Sequence, residues 1–412
     1  VYSSVHISPP LALSAEAILP ISKSDSNRLA ILAVLSGADL SEIPLSTAAD
    51  TQLLLKGLTS TSHTVDCADA GTTIRFLCAY FYLKNRPAIL TCSEGMKRRP
   101  IGPLVEALRI LGAQIDYLEK EGYPPLEIKG RTALPEKAIL SIDGSLSSQF
   151  SSALLLIAPF FSQGMELELV GEQSSSSYID LTLSSLSRAG QSYRKEGQRI
   201  LVSPWKGPPL HKANAESDWS SASYWYGMIA LSAIGDSLLL PGLRLDSAQG
   251  DRIAAQYFEY LGVNTLERPE GISIAKVEAP LLPLLQFNFR QCPDLCPAIV
   301  MTCAALGQTL LAEGLQTLPL KESHRILALG NLLKSMNVTV ETDETSYLRI
   351  QGKAVWDAEK PFPVFKDHRM AMSLAILGRT QEIRIADPMV VKKSFPEFWK
   401  AFAQSGFKLI FC

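Results

Sequence analysis

Six apolar runs, each opened by polar residues, limit the folds open to this chain. They cover residues 26–37, 71–82, 147–161, 220–234, 294–306 and 368–377. From the second onward their starts recur at roughly 75 residues, the spacing of large internal units. Six more polar, amphipathic segments alternate with them, at 50–58, 101–111, 179–189, 251–261, 322–336 and 395–405. Leu104, Leu108 and Leu111 show the helical spacing of these segments. Gly112, Gly190, Gly262, Asn337 and Gly406 follow five of them, each ahead of a strand-like run. Short β-branched or alternating runs lie at 138–142, 166–170, 338–340 and 407–411. The pattern predicts six copies of an α/β unit with two helices each, an α/β (α+β) protein. One helix per copy is apolar nearly all round and belongs in an interior; the other keeps one wet face.

A chain of 412 residues exceeds what one core usually serves, so two domains are expected. The net charge of −2 argues against a general nucleic-acid or polybasic membrane binder. Seven scattered cysteines predict buried free thiols; Cys292 and Cys296 lack the second pair that a zinc site needs. The first residues show no secretory leader, and the longest apolar run, 153–161, is too short to span a bilayer.

The openings of the apolar runs are where chemistry collects. The first is Lys23-Ser24-Asp25-Ser26-Asn27-Arg28, with Ser26 as the expected N-cap and Gly37 as the stop. Cations and hydroxyls at a helix N-terminus suit an anion, although a capped core helix with solvated charges would look the same. The second is Asp69-Ala70-Gly71-Thr72-Thr73 with Arg75 a turn later; Gly71 lets a ligand approach the backbone. The third, Ser147-Ser148-Gln149, offers neutral donors. Asp294 after Pro293 reads first as an N-cap, and His368-Arg369 first as structural. Basic clusters precede three amphipathic helices: Lys97-Arg98-Arg99, Lys321-Glu322-Ser323-His324-Arg325 and Lys392-Lys393. Together Lys23, Arg28, Arg99, Lys321, Arg325, Arg369 and Lys393 suit a strongly anionic small substrate, with Asp294, Glu322 and His368 as titratable partners. No Walker A motif, GxGxxG or metal cage is present, so neither cofactor nor metal is expected.

In this order the motifs KSDSNR (23–28), DAGTT with Arg75 (69–75), MKRRPIGPL (96–104), SSQF (147–150), SYID (177–180), DWSSASYW (218–225), Pro293-Asp294, KESHR (321–325), DHRMAM (367–372) and KSFP (393–396) resemble the 5-enolpyruvylshikimate-3-phosphate synthase family of enolpyruvyl transferases. The resemblance spans nearly the whole chain. It implies a two-domain enolpyruvyl transferase fold of six βαβαββ units, three per domain. Residues 20–226 would form one domain, and 1–19 with 227–412 the other, with the active site in the cleft between them. It implies transfer of the enolpyruvyl group of phosphoenolpyruvate to the 5-hydroxyl of shikimate 3-phosphate, releasing phosphate. Lys23, Gly71, Arg99, Gln149 and Lys393 would hold the phosphate of phosphoenolpyruvate, and Arg325 and Arg369 its carboxylate. Ser24, Arg28, Ser147, Ser148, Gln149, Ser175, Tyr178, Asp294 and Lys321 would hold shikimate 3-phosphate. Asp294 or Lys321 would assist loss of the hydroxyl proton, and Glu322 or Lys23 would supply one to C3. Glyphosate would compete with phosphoenolpyruvate beside Gly71. The expected partners are these two substrates, with neither nucleic acid nor membrane, for a cytoplasmic monomer.

Several positions depart from the family pattern: Asp69 for Asn, Phe76 for Pro, Gly95 for Arg, Ser176-Ser177 for Lys-Pro, Thr317 for Asn and His324 for an acid. Rival readings are the sister transferase acting on UDP-N-acetylglucosamine, a silent anion-binding protein of the same fold, and an ATP-dependent phosphotransferase. Lys23-Ser24 in place of Lys-Asn counts against the first, intact Asp294, Lys321 and Glu322 against the second, and the missing phosphate loop against the third.

Overall fold

A computed structural model describes residues 2–13, 15–171, 175–210 and 213–412. The chain forms two compact units: Ile21–Ala215, and Val1–Pro20 together with Glu216–Cys412. The second crossing thus falls at Ala215–Glu216 and not near Tyr226. The reason is the helix Trp219–Ala230: Trp219, Tyr224, Trp225 and Tyr226 are all buried in the core of the second unit, so the helix cannot be divided.

Every expected helix is present. In the inserted unit they are α1 (Lys23–Ser36), α2 (Ala49–Thr59), α3 (Gly71–Leu83), α4 (Gly102–Ile110), α5 (Ser148–Ile157) and α6 (Ser177–Arg188). In the other unit they are α7 (Trp219–Ala230), α8 (Ala254–Glu259), α9 (Cys296–Leu306), α10 (Arg325–Ser335), α11 (His368–Leu377) and α12 (Phe398–Gln404). The apolar helices are interior ones: every residue of α7 and of α11 is buried. The amphipathic ones bury a stripe; α4 hides Leu104, Val105, Ala107 and Leu108 and leaves Ile110 out.

The start of α1 differs from expectation. α1 is capped by Ser22, not Ser26, because the Ser22 hydroxyl accepts from the Asp25 N–H at 3.4 Å. Lys23, Ser24 and Asp25 therefore lie inside the first turn. The Ser26 hydroxyl instead accepts from the Ser46 N–H at 2.9 Å, a bond to a distant loop that no local pattern announces.

The repeat is visible in the sheets. Thr64–Asp66, Ala88–Thr91, Leu126–Arg131 and Ala113–Tyr117 form one four-stranded sheet in that spatial order, threaded by α3 and α4. Its first pair is parallel, and the others are antiparallel. Ala138–Asp143, Met165–Val170, Arg199–Val202 and Tyr193–Glu196 repeat that order around α5 and α6. So do Leu285–Asn288, Leu310–Glu313, Tyr347–Gln351 and Thr339–Thr342 around α9 and α10. The parallel first pair in each requires a crossover, which the buried helix supplies.

Two of the remaining copies borrow strands. Ser4–Ser8 lies between Ile383–Ala386 and Lys408–Phe411 in the sheet that Pro361–Phe362 edges. The Ala15–Ala17 segment pairs in parallel with Leu239, beside a three-stranded sheet of Ser237–Pro241, Gly271–Lys276 and Val263–Arg268. Helices α1 and α2 have no sheet of their own among the described residues.

Each unit has its own apolar core. In one, α7, α9 and α11 pack at Gly227, where a Cβ would meet Thr302 Oγ1 at 2.7 Å and Ile376 side-chain carbons at 2.9 Å. Close approach of three helices thus requires glycine there. No helix of the described residues is long and apolar enough to cross a membrane.

Candidate active site

The unit containing α7 to α12 gathers its charge at the starts of α9, α10 and α11. Arg325, the first residue of α10, is only 1% exposed, yet its guanidinium meets three carboxylates. It donates from Nε to Asp367 Oδ2 at 2.8 Å, from Nη1 to Asp294 Oδ1 at 2.8 Å, and from Nη2 to Glu322 Oε2 at 3.0 Å. Asp367 also caps α11, accepting from the Arg369 N–H at 2.9 Å, and accepts from the Ser323 hydroxyl at 3.1 Å. Arg369 donates to the other oxygen of Asp294 at 2.8 Å. Lys321 Nζ stands 3.4 Å from Asp294, and Lys393 Nζ stands 3.9 Å from Glu322. Asp294, Lys321, Glu322, Arg325, Arg369 and Lys393, expected from sequence, are therefore one ion-pair cluster.

The cluster decides its own protonation. Burial alone would raise the Asp294 carboxyl, but the charges of Arg369, Lys321 and Arg325 hold it well below the usual carboxylate range. Burial works against charge on Arg325 too, yet Asp367, Glu322 and Asp294 outweigh it and strengthen its hold on the proton. Lys321 is pulled down by burial, against the opposing pull of Asp294. Beside them lies Asp251, buried ahead of α8, whose oxygen accepts from the Ser220 hydroxyl. Burial and the negative charge of Asp294 push its carboxyl up to about 7, against the pull of Arg369.

In the inserted unit the expected residues fall into two groups. Lys23 donates to Asp50 Oδ2 at 2.9 Å, and Thr73 at the start of α3 donates to the Asp50 carbonyl at 2.9 Å. Gly71 opens α3, and a Cβ there would lie 2.9 Å from guanidinium nitrogens of both Arg75 and Arg99. Gln149 joins this corner: its carbonyl accepts from Arg75, and its amide donates to Thr72 Oγ1 at 3.1 Å. Ser147 caps α5 by accepting from the Gln149 N–H at 3.3 Å, and Ser148 is the first residue of that helix.

Arg28 anchors the second group. It is buried and donates to Thr182 Oγ1 at 2.7 Å, the Ser24 carbonyl at 2.6 Å, Ser152 Oγ at 3.2 Å and the Tyr178 carbonyl at 3.0 Å. Its charge centre lies 5.7 Å from the Phe76 ring and 5.9 Å from the Tyr178 ring. Burial lowers its pKa to about 10, while Asp25 and Tyr178 oppose the fall. Asp25, fully buried, accepts from Arg188 and from the Ser185 hydroxyl, tying α1 to α6. Ser175, just before α6, is buried with φ +57°. Residues 172–174 lie outside the described residues.

The residues expected to hold phosphoenolpyruvate are divided. Lys23, Gly71, Arg99 and Gln149 belong to one unit, and Arg325, Arg369 and Lys393 to the other. Sequence reasoning missed Asp50, Asp251 and Asp367 as partners of these charges, and noted Arg75 without assigning it. Asp367 and Arg75 lay inside quoted motifs; Asp50 and Asp251 looked like ordinary helix openings. Two departures acquire a local cause. His324 caps α10 by accepting from the Leu327 N–H at 3.4 Å, and Asp69 accepts from the Ser93 hydroxyl. No group of three or more His, Cys, Asp or Glu among the described residues is placed to hold a metal.

The fold is that of the enolpyruvyl transferases. It matches a solved EPSP synthase from Acinetobacter baumannii with a TM-score of 0.76 at 20% identity, covering 99% of this chain and 100% of that one. It matches the enolpyruvyl transferase NikO from Streptomyces tendae with a TM-score of 0.73 at 12% identity, covering 100% and 99%. Sequence narrows the class. Residues 46–402 match the family model for EPSP synthase (3-phosphoshikimate 1-carboxyvinyltransferase). A 3-phosphoshikimate 1-carboxyvinyltransferase of Bacteroides fragilis is 40% identical over 408 residues, 97% of each chain. Another, of Methanospirillum hungatei, is 30% identical over 98% of each. The chain belongs to the EPSP synthase family.

Two measurements probe the cluster. Arg325→Met strands Asp367, Glu322 and Asp294 without their shared cation and is expected to cost about 3–5 kcal/mol in urea unfolding; a loss below about 1 kcal/mol would contradict the pairing. Asp251 binds its proton more tightly when folded, so its contribution to stability is full below the ordinary carboxylate range and lost as pH rises through about 7. Asp251→Asn removes that loss. Its melting temperature relative to the parent chain should therefore be higher at pH 8 than at pH 5; a difference independent of pH would refute the assignment.

Proposed function

We propose that this chain transfers the enolpyruvyl group of phosphoenolpyruvate to the 5-hydroxyl of shikimate 3-phosphate, with phosphate as the second product, acting as a monomer without a cofactor. The observation that carries this reading is the ion-pair cluster around Asp294, built from residues of four family motifs in a chain 40% identical to a named carboxyvinyltransferase.

In the proposed assignment Lys23, Gly71, Arg99, Gln149 and Lys393 hold the phosphate of phosphoenolpyruvate, and Arg325 and Arg369 hold its carboxylate. Ser24, Arg28, Ser147, Ser148, Gln149, Ser175, Tyr178, Asp294 and Lys321 hold shikimate 3-phosphate. The 5-oxygen attacks C2 of phosphoenolpyruvate as Asp294 or Lys321 takes the hydroxyl proton. Glu322 or Lys23 delivers a proton to C3, and the carbon–carbon double bond becomes single. In the resulting tetrahedral adduct the C2–O bond to phosphate then breaks. A proton leaves C3, the double bond re-forms, and phosphate departs with its electron pair. The surrounding cations stabilise the charge that builds on phosphate and carboxylate.

The test is phosphate release from phosphoenolpyruvate with shikimate 3-phosphate, with UDP-N-acetylglucosamine as the control acceptor. Release with the first acceptor only is expected; release with the second only would install the sister activity instead. Asp294→Ala should lower turnover at least about a hundredfold, the usual scale for a lost general base. Full turnover would remove it from the mechanism. Glyphosate should compete with phosphoenolpyruvate in the same assay, because nothing larger than glycine at position 71 leaves Arg75 and Arg99 in place. An unchanged rate in large excess of the inhibitor would exclude that.

A further inference from the structure

The carboxylate of Asp294 sits where two arginines converge. Arg325 donates to Oδ1 and Arg369 to Oδ2, each at 2.8 Å. One carboxylate held at both oxygens by two guanidinium groups is the arrangement an incoming carboxylate would itself seek. We propose that Asp294 and the carboxylate of phosphoenolpyruvate compete for Arg325 and Arg369, and that the exchange releases Asp294 to accept the 5-hydroxyl proton. This competition rests on the proposed function, in which the same two arginines take the substrate carboxylate.

The fixed and the exchangeable parts of the cluster can be told apart. Arg325 is anchored from behind: Asp367 holds Nε at 2.8 Å and Nη2 at 3.3 Å, and Glu322 holds Nη2 at 3.0 Å. Asp367 has no exposed side-chain surface, so this anchor stays. Arg369 is fixed at its backbone, where its N–H donates to Asp367. Asp294 is held differently. It lies in the short turn Pro293–Leu295 ahead of α9 and is not the cap residue of either element. Its carboxylate is 13% exposed, against 0% for Asp367. The arginines therefore stay in place and the anion between them changes.

The electrostatics point the same way. A carboxylate whose proton affinity is suppressed by Arg369, Lys321 and Arg325 is a weak base. Once the substrate carboxylate takes the two arginines, Asp294 has lost two cationic partners and keeps Lys321, 3.4 Å from Oδ1, as a neighbour. The proton affinity of Asp294 then rises. The base gains strength only after phosphoenolpyruvate is seated, so proton removal from the hydroxyl waits for the group that will capture its oxygen.

Equilibrium dialysis of phosphoenolpyruvate against the full chain tests the exchange. Asp294→Asn keeps the shape of the side chain and removes its charge. It should bind phosphoenolpyruvate about tenfold more tightly than the parent chain, the scale of one charge-assisted contact no longer contested, while turnover falls. Asp294→Ala should shift binding in the same direction and serves if the Asn variant does not fold. Equal or weaker binding by the variants, or binding by neither variant nor parent, overturns the proposal. Phosphate release by the parent chain judges the functional reading separately. Tighter binding by the variants with no parental turnover keeps the competition and discards the activity.

Discussion

One buried guanidinium organises half of this molecule. Arg325 joins the turn before α9 through Asp294, the approach to α10 through Glu322, and the start of α11 through Asp367. A charge this deep is costly unless each of its N–H groups finds an acceptor, and a carboxylate this deep is costly without a cation. The members of the cluster therefore need one another more than they need any other part of the fold. Lys321, Lys393 and Arg369 at its margin bring four cations against the three carboxylates that Arg325 joins. Arg325 is held in position by Asp367, which touches no reacting atom in the proposed chemistry.

The inserted unit solves a related problem around Arg28 with neutral partners. At the starts of α1, α3 and α5 the donors are hydroxyls, an amide and backbone N–H groups, with Arg28 and Arg75 threaded among them. Arg28 is pinned from four directions by neutral oxygens, and the nearby anion Asp25 is itself claimed by Arg188. Neutral acceptors fix the direction of a cation without cancelling its charge. Around Arg28 charge is positioned by dipoles, whereas around Arg325 it is balanced by charge.

How much of this was legible depended on range. The helices were, because each carries its own signals within a few residues: the spacing of Leu104 and Leu108, the serine at 147, the glycine at 37. The repeat of an α/β unit was legible too, but the spatial order of its strands was not, because pairing is made between segments far apart in the chain. The boundary at Ala215 was not legible, because it depends on where Trp219 and Tyr224 find partners. Tyr224 meets Phe398, far along the chain, edge to face at 6.0 Å. The charged residues could be named from sequence but their pairing could not. Asp367 announces itself only as a helix cap, and its bond to Arg325 crosses three intervening strands. Asp251 looked like any acid at a helix opening; its raised proton affinity comes from its burial and from the charge of Asp294, far along the chain.

The strand Ser4–Ser8 carries a consequence for how the protein is made. Val5 pairs with both Ile385 and Phe411, so a strand made before the inserted unit must wait for strands made well after it. Residues 15–17 wait less long, for Leu239. Meanwhile the inserted unit has every contact of its own core available once Ala215 has emerged. On a ribosome, where domains fold as they appear, the second unit to begin is the first that can finish. The opening segment, with its alternating buried Val5 and Ile7, must meanwhile remain an unpaired apolar strand. That interval is the period in which the nascent chain is most exposed to pairing with the wrong edge.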